Sequence, residues 1–152
     1  MSKSQQLIHE FSDIIVTGKV TNQGSVYSAT ETLAAAATLD ASDSSKIFFL
    51  NLAGGFTVTL APPTAGAMYT FIVKTAPTTN YIISAGSAIV HGIAVAAEDA
   101  LGSSNSTSGT AVASVRLIAS KAQVGDRVEL VSDGTNWYAK AYVVQQDAAT
   151  FV

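Results

Sequence analysis

The chain contains no cysteine among its 152 residues. This absence excludes disulfide bonds, catalysis by a thiolate and metal sites built on cysteine. It sets no limit on the redox compartment in which the protein works.

Charged residues are also scarce, at 12% of the chain, whereas an average globular domain has about 25%. Apolar residues make up 48%, so the chain has enough material for a core. Free monomers usually carry a more charged surface, and charge is depleted at the centres of protein interfaces. The composition therefore favours a chain that packs against copies of itself or a partner, although a weakly charged monomer is the alternative.

Clusters of positive charge are missing. The formal net charge is −3, and no two of the eight basic residues are neighbours. Because phosphate binding needs clustered lysine and arginine, we expect no nucleic acid partner.

Export signals and long hydrophobic runs are missing as well. The first 16 residues have neither an apolar h-region nor an A-x-A cleavage site. The longest weakly polar run, residues 88–97, contains His91 and Gly92 and is too short to span a bilayer. We therefore expect a protein made in a cytoplasm, with no membrane contact.

The chain divides into an arm, a body and a tail. Residues 1–30 are polar with two short apolar patches, and we expect an extended N-terminal arm held by a neighbouring subunit. Residues 31–144 form the body, and residues 145–152 a C-terminal tail.

The body is predicted to consist of strands separated by turns. Residues 46–52 and 56–60 flank Ala53-Gly54-Gly55, which predicts a hairpin with one buried face. Asp133-Gly134-Thr135-Asn136 predicts a second hairpin, and residues 98–109 a surface loop. Further strands are expected at 68–75, 81–84, 88–95, 110–119, 126–132 and 137–144. Strands at this spacing indicate a sandwich or a barrel.

Residues 31–39 are ambiguous. The run from Ala34 to Ala37 favours a helix by propensity, whereas the neighbouring β segments favour a short strand. We predict a strand, because context often overrides propensity.

No catalytic or metal-binding constellation is apparent. His9 and His91 are isolated, and the carboxylate pairs Asp40 with Asp43 and Glu98 with Asp99 fall at predicted turns, where aspartate is expected for hydrogen bonding. We therefore predict a protein that is not an enzyme and that has no cofactor, metal or small-molecule substrate, although a Ca²⁺ site at either pair is an alternative.

Three further motifs have simple interpretations. Gly54-Gly55 lacks the lysine and helix of a phosphate loop, and the sequon beginning at Asn105 lacks a secretion signal. Trp137 and Tyr138 point to opposite faces of one strand, so Trp137 is predicted to anchor the core. Exposed tyrosines could instead stack on sugars.

Three stretches together resemble segments of tailed-phage virion proteins, which include head decoration (cement) proteins and the β-rich ends of tail fibres. They are residues 43–60 (DSSKIFFLNLAGGFTVTL), 68–79 (MYTFIVKTAPTT) and 125–138 (GDRVELVSDGTNWY). The resemblance implies a β-sandwich or jelly-roll-like domain. Together with the strand pattern, we predict an all-β fold, an antiparallel β-sandwich, jelly-roll-like, that follows the extended N-terminal arm.

The same resemblance implies a non-enzymatic virion protein, made in the host cytoplasm, that forms a homo-oligomer, commonly a trimer. A capsid decoration protein would bind the major capsid protein and bridge capsid subunits, with its arm and tail reaching across them. The alternative is a tail-fibre or receptor-binding domain that attaches the phage to its host.

Overall fold

A computed structural model of the chain describes residues 28–87, 89–97 and 106–152, without the side chains of residues 106 and 107. Twelve strands and one short 3₁₀ helix, Ala41–Asp43, form this part of the chain. The strands are β1 Thr30–Leu33, β2 Ala37–Thr38, β3 Ile47–Leu50, β4 Thr57–Thr59, β5 Met68–Val73, β6 Tyr81–Ser84, β7 Val90–Ala96, β8 Ser106–Val112, β9 Ser114–Leu117, β10 Arg127–Ser132, β11 Trp137–Val143 and β12 Ala149–Phe151.

The strands form two packed sheets. The larger sheet has the order β1-β3-β5-β10-β11-β7-β8, and the smaller sheet has the order β12-β9-β6-β4-β2. From β1 to β6 the chain alternates between the sheets, so that successive strands of each sheet lie parallel. The first part of the body is thus a flattened coil of three turns, and the later strands extend both sheets.

The predicted all-β sandwich is confirmed, but the prediction of antiparallel sheets is wrong. Among the described residues, five of the ten strand pairings are parallel. Four of these five follow from the alternation of β1 to β6 between the sheets, since a strand that returns to its first sheet after crossing the core runs in its original direction. The fifth joins β7 to β11. A jelly-roll order is not confirmed.

The connection between β3 and β4 is an arc between sheets, so the predicted hairpin is wrong. Its buried face is nevertheless as predicted, because Val58 and Leu60 point into the core. Contacts with a later loop hold the arc: the Thr78 backbone amide and hydroxyl both donate to the Ala53 carbonyl, at 2.6 and 2.8 Å. Gly55 has φ of +63°, and a Cβ there would lie 2.0 Å from the Thr79 carbonyl oxygen. Glycine is required by this close approach as well as by the turn.

The core lies between the sheets and is centred on aromatic side chains. Trp137 is fully buried, which confirms its prediction as a core anchor, and its ring centroid lies 5.3 Å from that of Tyr69. Phe48 stacks on Phe71 at 5.4 Å. The Tyr69 hydroxyl donates to the Asp40 carbonyl at 2.9 Å, so this buried ring keeps a partner for its polar end.

The prediction of strand rather than helix for residues 31–39 is confirmed. The segment contains β1 and β2, which lie in different sheets. Leu33 and Leu39 are buried, whereas Ala34, Ala35 and Ala36 are exposed where the chain turns between the sheets. Burial of the two leucines outweighs the helix propensity of the alanines.

Two boundaries differ from the sequence predictions. Ser106–Gly109 belongs to β8 instead of a loop, while residues 98–105 lie outside the described residues. The single strand predicted over 110–119 is divided at Ala113, after which the chain passes from the larger sheet to the smaller one. The apolar composition of residues 110–119 is the same whether the strand stays in one sheet or passes to the other. The sequence pattern therefore could not predict the break at Ala113.

The C-terminal segment, residues 145–152, contributes β12 to the smaller sheet, where it pairs with β9. Phe151 packs against Gly109 of the opposite sheet, and a Cβ on Gly109 would lie 2.3 Å from the Cβ of Phe151. The two sheets are thus brought together at this end of the sandwich. The predicted arm lies outside the described residues, except for residues 28–30.

Gly109→Ala tests this packing. The added methyl group overlaps the Cβ of Phe151, which is too close to the backbone to move aside, and we expect the free energy of unfolding to fall by about 1–3 kcal/mol. The control is Ser108→Ala at the exposed neighbouring position, which should change stability by less than about 0.5 kcal/mol. Equal stability of both variants in denaturant titrations would contradict the packing described.

Candidate functional site

The histidine and carboxylate candidates occupy separate places in the structure. His91 is half-buried on β7, where its ring stacks on that of Tyr138 at 5.8 Å and its Nδ1 accepts a hydrogen bond from the Ala111 amide at 3.4 Å. His9, Glu98, Asp99 and Asn105 lie outside the described residues. In the described ranges, no three histidine or acidic side chains are grouped closely enough to hold a metal ion.

Asp40 and Asp43 cap the 3₁₀ helix. The Asp40 carboxylate accepts from the Ser42 hydroxyl and amide at 2.6 and 2.7 Å, and Asp43 accepts from the Asp40 amide at 2.9 Å. The bond from the Ser42 hydroxyl is the largest cause that lowers the pKa of Asp40. Lys46 donates to Asp43 at 2.5 Å, and this bond raises the pKa of Lys46. The pair has the turn-forming role that the sequence indicates.

Asp126 is the one buried acidic residue of the described chain, with 1% exposure. Its two carboxylate oxygens accept from the amides of Gln123 and Val144, both at 2.9 Å. Burial raises the pKa of Asp126, and these two hydrogen bonds oppose the rise. A buried carboxylate with a shifted pKa is a candidate for chemistry. Here the side chain ties the turn before β10 to the end of β11, which is a structural role.

The outer face of the larger sheet is the most distinctive surface of the described residues. Six of their ten exposed large hydrophobic side chains lie on it: Met68, Ile93, Val95, Val131, Tyr138 and Tyr142. Strand registers place Met68, Val131, Tyr138 and His91 side by side across four neighbouring strands. Contiguous apolar surface of this kind marks sites of interaction.

A groove of about 640 Å³ crosses this face. It runs over β3, β5, β10, β11 and β7, approximately at right angles to the strands. Met68, Val131, Tyr138 and Ile93 give it apolar walls, while Lys46, Glu129 and Lys140 supply charge. The lining includes Ser28, where the described chain begins.

The Tyr138 ring is held in a fixed position beside the groove. Its hydroxyl donates to Asp133 at 3.0 Å, and Asp133 also accepts from the amides of Asn136 and Thr135 at 2.7 and 2.8 Å. The amide of Asn136 is the largest cause that lowers the pKa of Asp133. Tyr138 therefore offers one preoriented, half-exposed face to a ligand or partner.

The charges near the groove are unevenly paired. The Nε of Arg127 lies 3.3 Å from Oε1 of Glu129, and the Cζ of Arg127 lies 4.9 Å from the ring centroid of Tyr142. Lys140 is directly opposite Glu129 in the register, yet it forms no ion pair with the described residues. The groove therefore combines an apolar lining with one lysine that forms no ion pair with the described residues.

The sequence analysis identified exposed tyrosines, but it did not predict that the outer face of the larger sheet is apolar. A usable signal is present, since β5 (MYTFIV) is apolar on both of its faces rather than on alternate residues. Such strands are expected where both faces are covered. The described part of the chain contains no helix that is long and apolar enough to cross a membrane.

Asp126→Asn tests the buried carboxylate. An unfolded aspartate titrates near its ordinary value of 3.8, whereas folded Asp126 keeps its proton to higher pH. Its contribution to stability is therefore complete below pH 3.8 and is lost as the pH rises through the raised folded pKa. Because asparagine does not titrate, wild-type protein should lose stability relative to the variant over this window.

The measurement is the free energy of unfolding by denaturant at a series of pH values. Asp126→Ala is the companion variant, and it should cost about 1–3 kcal/mol at low pH, where the contribution of Asp126 is complete, because two buried amides lose their acceptor. A difference between wild type and Asp126→Asn that does not depend on pH would contradict the raised pKa.

Comparison with known proteins adds no relative. No protein-family model, no curated protein and no solved structure matches this chain. Its function must therefore be inferred from its own sequence and geometry.

Proposed function

We propose that this protein is a non-enzymatic structural component of a tailed-phage virion, and specifically a capsid decoration protein that bridges capsid subunits. The observation that carries the proposal is the apolar outer face of the larger sheet. The resemblance of residues 43–60, 68–79 and 125–138 to phage virion proteins supplies the class of particle.

The chemistry of the face supports docking rather than catalysis. It carries exposed Met68, Val131 and Ile93 around a groove, and its ionisable groups Glu129 and Lys140 stand among apolar neighbours. Apolar area removed from water contributes roughly 25 cal/mol per Å². A face of this composition therefore gains free energy on association without a demanding charge match.

A low charge content suits a protein that acts in many copies. Only 12% of the residues are charged, so neighbouring copies repel one another weakly. On a repeating shell each contact can be weak, because simultaneous contacts raise the effective concentration of the next one. The partner in this proposal is the major capsid protein, and the assembled form is a homo-oligomer, taken from the resemblance as a trimer.

The finer features of the proposal are the virion location and a jelly-roll-like fold. The virion location follows from the resemblance. The docking role depends only on the two-sheet sandwich, since either strand order presents one broad outer face on the larger sheet.

A second candidate function is a tail-fibre or receptor-binding domain. The observation that favours it is the shelf formed by Tyr138 and His91, whose rings stack 5.8 Å apart beside the groove. Aromatic rings with a polar group nearby are suited to stacking on apolar faces of ligands such as sugars. This function would require few copies per particle instead of many.

The experiment that tests the proposal is quantitative mass spectrometry of purified virions of the phage that encodes this chain. A lattice-wide decoration protein should be present at roughly one copy, or roughly one-third of a copy, per major capsid subunit, as the symmetry of the shell requires. A handful of copies per particle would favour the tail-fibre function. Absence from the particles would overturn both.

Two variants test whether the outer face of the larger sheet makes the contact that incorporates the protein into the particle. Ile93→Lys adds a charge to the apolar face, and the copy number of the variant should fall by about tenfold, which corresponds to about 1.4 kcal/mol. Val124→Lys is the matched control, because Val124 is exposed in the loop before β10, outside the face. Equal incorporation of the two variants would place the contact elsewhere.

A further inference from the structure

The outer face of the smaller sheet differs in chemistry from that of the larger sheet. Because side chains alternate along a strand, every second residue points outward, and in the smaller sheet most of these residues are serine or threonine. One row of outward residues crosses β12, β9, β6 and β4, and it consists of Thr150, Arg116, Ile82 and Thr57. Arg116 is the one charged residue among the outward positions on the described strands of this sheet.

The guanidinium group of Arg116 lacks a partner. It forms no ion pair within the part of the chain that the structure describes. Asp147, in the turn before β12, is paired with Lys121 at 3.4 Å instead. The Nε of Arg116 is buried and finds no hydrogen-bond acceptor among the described residues. This cation has therefore lost water on one side without gaining a protein acceptor, which is unfavourable until an acceptor is supplied.

The neighbours of Arg116 in the row indicate what could supply that acceptor. Thr150 lies on one side of Arg116 and Ile82 on the other, and Thr57 follows Ile82. With strands about 4.8 Å apart, the row is about 14 Å long. It combines a cation, an apolar side chain and two hydroxyl groups. A sugar ring has C–H groups on its faces and hydroxyl groups around its edge, and a hexuronic acid carries one carboxylate in addition.

We propose that this row is a binding site for a carboxylate-bearing sugar of the hexuronic acid class. The carboxylate accepts hydrogen bonds from the terminal nitrogens of Arg116, because the planar guanidinium fork matches two carboxylate oxygens. The sugar ring lies over Ile82, and its hydroxyl groups hydrogen-bond to Thr150 and Thr57. All four side chains project from paired strands, so the backbone that carries them is ordered before the ligand arrives.

The charges of the molecule favour Arg116 over the other arginine of the chain. No acidic residue occupies an outward position on the described strands of the smaller sheet, so a bound carboxylate meets no repulsion from this face. Arg127, the second of the two arginines in the sequence, has its Nε 3.3 Å from Oε1 of Glu129. Because Arg127 already has a carboxylate partner, it provides an internal control.

The site is separate from the groove and does not rest on the proposed function. A protein that docks through its larger sheet would present its smaller sheet on the opposite, outward side. Single contacts with one sugar are weak, but many copies on one surface would bind an acidic polysaccharide tightly through simultaneous contacts. The test uses the purified chain alone, so its failure would leave the copy-number experiment unaffected.

The test is a titration of the purified full-length chain with sodium glucuronate at constant ionic strength, followed by ¹⁵N–¹H NMR of the arginine side chains. The two arginines give two Nε–H signals, which Arg116→Lys and Arg127→Lys assign. The expected result is a saturable shift of the Arg116 signal with a dissociation constant in the millimolar range, as befits so small a ligand. The Arg127 signal should not saturate. Absence of a saturable shift at Arg116 would overturn the proposal.

Two further ligands separate the contributions of charge and ring. Glucose has the ring without the carboxylate, and acetate has the carboxylate without the ring. Each should bind at least about tenfold more weakly than glucuronate, since each loses one of the two sets of contacts. Equal binding of glucose would overturn the role of Arg116. Equal binding of acetate would overturn the assignment to a sugar.

The variants test the arginine itself. Arg116→Lys keeps the charge but removes the planar fork, and it should weaken glucuronate binding by about tenfold. Arg127→Lys is the matched control and should leave the affinity unchanged. Backbone amide spectra verify that each variant is folded, and if Arg116→Lys is not, the comparison of the three ligands on the wild-type chain decides. Equal affinity of wild type and a folded Arg116→Lys would contradict the proposed site.

Discussion

The shared core between the two sheets is the constraint on which the rest of the structure depends. Each sheet is apolar on its inner face, and neither can be stable in water without the other. Trp137 and Tyr69 of the larger sheet are buried at the centre, and the alternation of β1 to β6 between the sheets keeps both layers in place. Truncating a side chain such as Trp137 costs about 3–5 kcal/mol, a large part of the 5–15 kcal/mol that stabilises a typical domain.

Once the core has fixed the inner faces, the pleat determines what the outer faces present. Side chains alternate across a strand, so the residues between the buried positions of β5, β10, β11 and β7 all emerge on one side. There the chain places Met68, Val131, Tyr138 and Ile93 beside a few charged residues such as Glu129 and Lys140. The proposed docking function follows from this second apolar face.

The sequence predicted the elements better than their partners. A period of two identifies the buried face of 56–60 and the hairpin of β10 and β11, because both depend on neighbouring residues. The same period cannot distinguish a hairpin within one sheet from a connection that crosses between the sheets, since Val58 and Leu60 are buried in either arrangement. For β3 and β4 the arc is held by distant contacts, such as the Leu52 amide donating to the Tyr81 hydroxyl at 2.9 Å. The groove was missed for the same reason, because its lining comes from strands far apart in the chain.

The central claim is that the outer face of the larger sheet is covered in the assembled state. Hydroxyl-radical footprinting of the chain, free and within purified particles, measures this directly. The account predicts that Met68, Tyr138 and Tyr142 are protected from oxidation in particles, while Leu52 and Val124, which are exposed outside this face, react as in the free chain. Equal oxidation of Met68 and Tyr138 in both states would contradict the claim.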